Sequence, residues 1–182
     1  MSAVEPAFSA IDAAVSAFAR EQQIPGLAAG IVRAGRLVHV ATVGLADIEA
    51  ARPVASGTVF RIASVSKTFA AGLTAQLVQD GSIAWDDPVI RYVPGLRVKG
   101  DAGRIRIQDL LGQSTGLISH AYDNLIEDGV PTDQIFEKFA DLPYNCAPGS
   151  CYSYQNSVFS LIQPVVEQAT STSYELLVEQ RI

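Results

Sequence analysis

Residues 60–69 read Phe60-Arg61-Ile62-Ala63-Ser64-Val65-Ser66-Lys67-Thr68-Phe69, and the chemistry lies in the central tetrapeptide Ser64-Val65-Ser66-Lys67. Leucine- and alanine-rich sequence follows, with Phe69, Leu73 and Leu77 stepping by four. The spacing predicts that the tetrapeptide opens a helix which Asp80-Gly81 ends. Positions i and i+3 of a helix share a face, so the Ser64 hydroxyl and the Lys67 amine come within reach of each other. A serine hydroxyl is a weak nucleophile and needs an adjacent base. A neutral lysine serves as that base when burial without a compensating carboxylate lowers its pKa. The helix start adds free N–H groups and a positive dipole end, which favour a developing oxyanion. A plainer reading stands beside this one. Ser-x-x-Lys is short, and Ser64 as an N-cap with Lys67 as a solvated first-turn residue fits the same four letters.

Context decides between them. The segment resembles the nucleophile region of the serine β-lactamase and penicillin-binding-protein superfamily. Ser-Val-Ser-Lys-Thr-Phe in particular resembles class C β-lactamases and their esterase and D-Ala-D-Ala peptidase relatives. Tyr154-Gln155-Asn156 matches the Tyr-x-Asn motif of that group. Leu77 to Gly81 with Asp86-Asp87-Pro88-Val89, Ile107 to Gly116, and Ala147-Pro148-Gly149-Ser150 resemble the family's connecting segments. The resemblance runs from Ile11 to Ile182.

The resemblance implies an α+β fold, a helical lobe packed on an antiparallel sheet. Residues 1–60 supply a helix and a β-hairpin, and residues 61–182 a mainly helical lobe carrying both motifs. It implies an acyl-enzyme serine hydrolase acting first on β-lactams, with carboxylesters or D-Ala-D-Ala peptides as alternatives, and no cofactor. Ser64 attacks the carbonyl, neutral Lys67 takes or relays its proton, and Tyr154 is the second proton carrier. Asn156 binds a substrate amide and holds Lys67; whether Lys67 or Tyr154 acts first as base stays open. Family members also carry a Lys/His-x-Gly motif on a later strand, which supplies a second oxyanion donor. No Lys-Thr-Gly, Lys-Ser-Gly or His-x-Gly follows Asn156. The chain is therefore expected to correspond to an N-terminal half whose sheet lacks the C-terminal strands and whose activity alone is severely weakened. The other functional class is a non-catalytic fragment that takes a complementing C-terminal half or a second copy through an open sheet edge.

Composition narrows the rest. Nearly half of the 182 residues are apolar, enough for a core, yet no stretch is long enough to span a bilayer. A net charge of −6 opposes nucleic-acid binding, which wants a basic face. Met-Ser-Ala-Val-Glu-Pro has neither a basic nor an apolar leader region. The expected location is periplasmic or extracellular if a signal peptide has been removed, and cytoplasmic otherwise. Cys146 and Cys151 flank Ala-Pro-Gly-Ser, where a disulfide would close a short loop and fix the approach to Tyr154. Two reduced thiols are the alternative, decided by redox compartment. Two cysteines and two distant histidines do not make a metal ligand set.

Along the chain, Phe8, Ile11, Val15 and Phe18 predict an N-terminal amphipathic helix. Leu27 to Val32 and Leu37 to Leu45 predict two strands joined at Arg33-Ala34-Gly35-Arg36. Apolar groups on both faces of the second strand suggest that both are covered, with His39 as an ordinary strand residue. Ile107 to Leu111 predicts a short helix, and Thr132 an N-cap for a helix holding Ile135, Phe136 and Phe139. Val158 to Val166 marks another helix, which Pro164 should kink or break. Tyr174 begins a last one. Gly112-Gln113-Ser114-Thr115-Gly116 has the form of a nucleophile elbow, but helical sequence precedes it and the downstream His120 follows without an intervening acid, so it reads as a loop.

Overall fold

The computed structural model describes residues 5–182, with side chains from Phe8 onward. The chain divides into two compact units, Met1–Arg61 and Ile62–Ile182.

The first unit joins helix α1 (Glu5–Glu21) to strands β1 (Gly26–Arg33), β2 (Arg36–Asp47) and β3 (Arg52–Pro53), in sheet order β1-β2-β3. β1 and β2 form an antiparallel hairpin. Its turn places Ala34 at φ 49° and Gly35 at φ 72°, the left-handed pair that matches the twist of flanking strands. The sheet thus has three strands where the hairpin pattern predicts two; two-residue β3 is too short to show a period. α1 lies against β2, where Phe8 stacks on His39 at 4.5 Å and Asp12 accepts from His39 Nε2 at 2.6 Å. His39 is accordingly a strand residue tied to the helix. The expectation that both strand faces are covered fails: Leu37, Val38 and Leu45 are exposed. Phe18 is exposed too, and Ala19 takes the buried position of the α1 stripe.

The second unit is helical. A 3₁₀ turn, Ala63–Val65, runs directly into α2 (Ser66–Gln79). Ser64 therefore sits one turn ahead of the α-helix rather than opening it. Leu73 and Leu77 of α2 are fully buried, and Gly81 at φ 75° follows the Asp80 cap. α3 (Ile107–Leu111) begins where the Asp109 carboxylate accepts the Arg106 N–H at 3.0 Å. α4 (Asp123–Glu127), α5 (Thr132–Glu137), α6 (Ile162–Thr170) and α7 (Tyr174–Arg181) complete the unit. Pro131 is the α5 cap and Thr132 its first residue, with Phe139 in the 3₁₀ turn Lys138–Asp141 that follows. Pro164 does not break α6, because it stands in the first turn, where its N–H would have no intrahelical partner. The core gathers Leu73, Leu77, Ile105, Ile107, Phe139 and Leu161. Burying a leucine- or phenylalanine-sized side chain stabilises by ~1.5–3 kcal/mol. That core holds α2 against α6 and α7, the frame of the site below. Among the described residues no helix is long and apolar enough to cross a membrane.

Candidate active site

The site begins with backbone. Ala63 adopts φ 45°, a left-handed conformation uncommon for a non-glycine residue, and turns the chain into the 3₁₀ turn at Ser64. The Ser64 side chain is exposed and the Lys67 side chain half-buried. Lys67 Nζ donates to Ser64 Oγ at 3.1 Å, to Tyr154 Oη at 2.9 Å and to Asn156 Oδ1 at 2.7 Å. Tyr154 Oη lies 2.5 Å from Ser64 Oγ. Lys67 Nζ also stands 4.8 Å from the Tyr154 ring centroid and 5.4 Å from that of Phe159. The Lys67 hydrogen bond, and then that with Ser64, holds the Tyr154 phenol below its usual value of 10.0. All four residues singled out in the sequence thus meet within hydrogen-bonding distance.

A loop holds the Tyr154 segment in place. Gln113, Thr115 and Gln155 are all buried. Gln113 Oε1 accepts the Gln155 N–H at 2.8 Å, and Gln113 Nε2 donates to the Gln155 carbonyl at 3.0 Å. Thr115 Oγ1 donates to Gln155 Oε1 at 2.7 Å, and Gln155 Nε2 to the Ile118 carbonyl at 2.8 Å. Ser153 and Ser157 hydroxyls donate to the carbonyls of Leu117 and Ala121. The Gly112–Gly116 stretch is therefore a cradle, following helix α3, and the Ser114 hydroxyl lies 3.5 Å from Asp109. Gly116 is required there: it has φ 80°, and a Cβ would meet the Cys146 carbonyl oxygen at 2.3 Å. Cys146 and Cys151 form a disulfide across the next turn.

Beyond the four, Asn156 Nδ2 donates to Asp123 Oδ2 at 3.0 Å, and His120 Nδ1 lies 2.9 Å from the same oxygen. The sequence gives no motif for Asp123, His120 or Phe159. Gln155 was legible only as the middle residue of Tyr-x-Asn. A cavity of about 390 Å³ opens beside Ser64 and Lys67, walled by Ala63, Ala70, Ile126, Phe159, Ile162 and Tyr174. Among the described residues no cluster of His, Cys, Asp and Glu is placed to hold a metal.

The Beta-lactamase family model matches residues 11–182. The chain belongs to the β-lactamase family. One curated relative is the esterase EstB of Burkholderia gladioli, 34% identical over 176 residues, covering 88% of this chain and 45% of that protein. Another is a β-lactamase of Psychrobacter immobilis, 29% identical over 163 residues, covering 89% of this chain and 39% of that protein. The chain thus spans less than half the length of either. A solved class C β-lactamase mutant superposes with a TM-score of 0.85 over 100% of this chain and 50% of its own, at 23% identity. That likeness establishes the fold: the mixed helical and antiparallel architecture of β-lactamase family members, of which this chain forms a part.

Proposed function

We propose that this member of the β-lactamase family is a serine hydrolase in which Ser64 forms an acyl-enzyme and Tyr154 is the base. The observation that carries this reading is the contact of Lys67 Nζ with Ser64, Tyr154 and Asn156 together. The hydrogen bond from Lys67 lowers the Tyr154 phenol and so favours its basic form beside Ser64. Tyr154 then accepts the Ser64 proton as Oγ bonds to the substrate carbonyl carbon. The tetrahedral intermediate expels its leaving group, which takes that proton back from Tyr154. Water, deprotonated by the same phenolate, next attacks the Ser64 ester carbonyl; the Ser64 Oγ–carbon bond breaks, Oγ takes that proton from Tyr154, and the acid is released.

For substrate class we favour carboxylic esters over the β-lactams expected from the sequence. The 34% identity to an esterase and the largely apolar wall beside Ser64 support an apolar acyl group. β-Lactams are the second reading, supported by the family model and the β-lactamase relative. Parallel assays with 4-nitrophenyl butyrate and a chromogenic cephalosporin separate them. Ester turnover dependent on Ser64 supports the first. Cephalosporin opening without ester turnover moves the assignment to the second, and neither reaction overturns both. The Cys146–Cys151 disulfide supports an oxidising compartment for the protein.

A further inference from the structure

We infer that Asp123 is a positioning residue: its carboxylate orients the Asn156 amide so that the amide oxygen, and not its nitrogen, faces Lys67. The inference deepens the acyl-enzyme reading and rests on it.

Asn156 is pinned at both ends. Its Oδ1 accepts from Lys67 Nζ at 2.7 Å and its Nδ2 donates to Asp123 Oδ2 at 3.0 Å. Turning the amide over would set donor against donor at Lys67 and acceptor against acceptor at Asp123. Lys67 alone selects one orientation, and Asp123 selects the same one from the other side. The carboxylate is itself placed by its surroundings. His120 Nδ1 lies 2.9 Å from Oδ2, the His120 N–H donates to the Tyr154 carbonyl at 3.0 Å, and the His120 ring tilts over Tyr154 at 5.7 Å. His120 and Tyr122, on either side of Ala121, both have left-handed backbones, φ 55° and 59°, so the approach to Asp123 is tightly turned. Asp123 Oδ1 is buried with no hydrogen-bond partner among the described residues. A carboxylate oxygen left unsatisfied lowers stability, so fold stability alone is a poor reason for an acid at this position.

The arrangement has a chemical consequence. Asp123 acts on Lys67 through an amide rather than by direct contact. The chain from carboxylate to amide to ammonium polarises in one direction and leaves Lys67 N–H bonds for Ser64 and Tyr154. A carboxylate in place of the amide would pair with Lys67 directly and draw it from Tyr154.

The test compares wild type, Asp123→Asn and Asp123→Ala. Burst acylation by 4-nitrophenyl butyrate is measured alongside hydrogen exchange of the Asn156 side-chain amide, its NMR signal assigned from its loss in Asn156→Asp. An asparagine at 123 still accepts from Asn156 through its own amide oxygen. The expected result is acylation within about threefold of wild type for Asp123→Asn and a loss of tenfold or more for Asp123→Ala. Asn156 amide exchange should quicken at least tenfold in Asp123→Ala only. Acylation and exchange in Asp123→Ala equal to wild type, or Asp123→Asn falling as far as Asp123→Ala, overturn the positioning role. If wild type gives no Ser64-dependent burst, the acyl-enzyme reading falls, and amide exchange alone then decides whether Asp123 orients Asn156.

Discussion

Lys67 Nζ lies 2.9 Å from Tyr154 Oη, and 87 residues of chain separate the two. The contact gives the phenol a cation at hydrogen-bonding distance and leaves it 2.5 Å from the candidate nucleophile. Its first consequence is a pH dependence. Tyr154 is held below 10.0, chiefly by Lys67, so its basic form accumulates at lower pH than that of an ordinary phenol. Acylation should rise with pH, with its midpoint below pH 10. Lys67→Met should move the midpoint upward and lower the plateau by about 10²-fold or more. Burst rates measured from pH 6 to 11 check both.

Replacing Tyr154 by phenylalanine removes the proposed base and leaves the Ser64–Lys67 contact available. Acylation should fall by about 10²–10⁴-fold, with the thermal midpoint changing little because the hydroxyl is not buried. A variant within threefold of wild type would return the role of base to Lys67.

The buried cradle predicts a stability effect. Gln155→Ala takes the buried acceptor from the Thr115 hydroxyl and the donor from the Ile118 carbonyl, while the Gln113 bonds to the backbone of residue 155 remain. The expected cost is about 1–3 kcal/mol, or roughly 2–4 °C of melting temperature for each kcal/mol, with a parallel loss of activity as Tyr154 and Asn156 lose their register. Calorimetry and burst kinetics on one preparation test this.

Reduction of the Cys146–Cys151 disulfide should lower stability by about 2 kcal/mol, the chain-entropy value for so short a loop. A denaturant titration with and without reductant reads it. The paired Cys146→Ser, Cys151→Ser variant should match the reduced protein.

An alkaline transition should trace to Tyr92. Burial, followed by its 2.6 Å hydrogen bond to Asp87, pushes this phenol up to about 12. The folded chain holds that proton more tightly than the unfolded chain, whose phenol titrates near 10. The contribution is fully present below about pH 10 and is lost as pH rises toward 12. Tyr92→Phe should flatten the stability curve across this window, as denaturant midpoints at pH 8, 10, 11 and 12 would show.

Much of the site was legible because its chemistry is written at short spacing. Ser64 and Lys67 are three apart, and Tyr154 and Asn156 flank a single residue. The hairpin was legible because Ala34-Gly35 punctuates two apolar runs. What escaped has no such signal. Asp123 and His120 reach the site through two left-handed residues that no periodicity marks. Gln155 looks like a spacer until the fold buries it against Gln113 and Thr115. The tolerance of α6 for Pro164 is not legible, because a proline in a first helical turn and one in mid-helix look alike until the helix start is known. Leu37, Val38 and Leu45 mislead in another way: their composition suggests burial, and the structure leaves them exposed.

The central claim, a Ser64 nucleophile activated within the Lys67–Tyr154 pair, is tested most directly by intact-protein mass spectrometry after incubation with a fluorophosphonate. Wild type should gain one phosphonyl group, mapped to the peptide containing Ser64, while Ser64→Ala gains none and Tyr154→Phe reacts at least tenfold more slowly. An unmodified wild-type mass, or an adduct that persists in Ser64→Ala, would contradict the account.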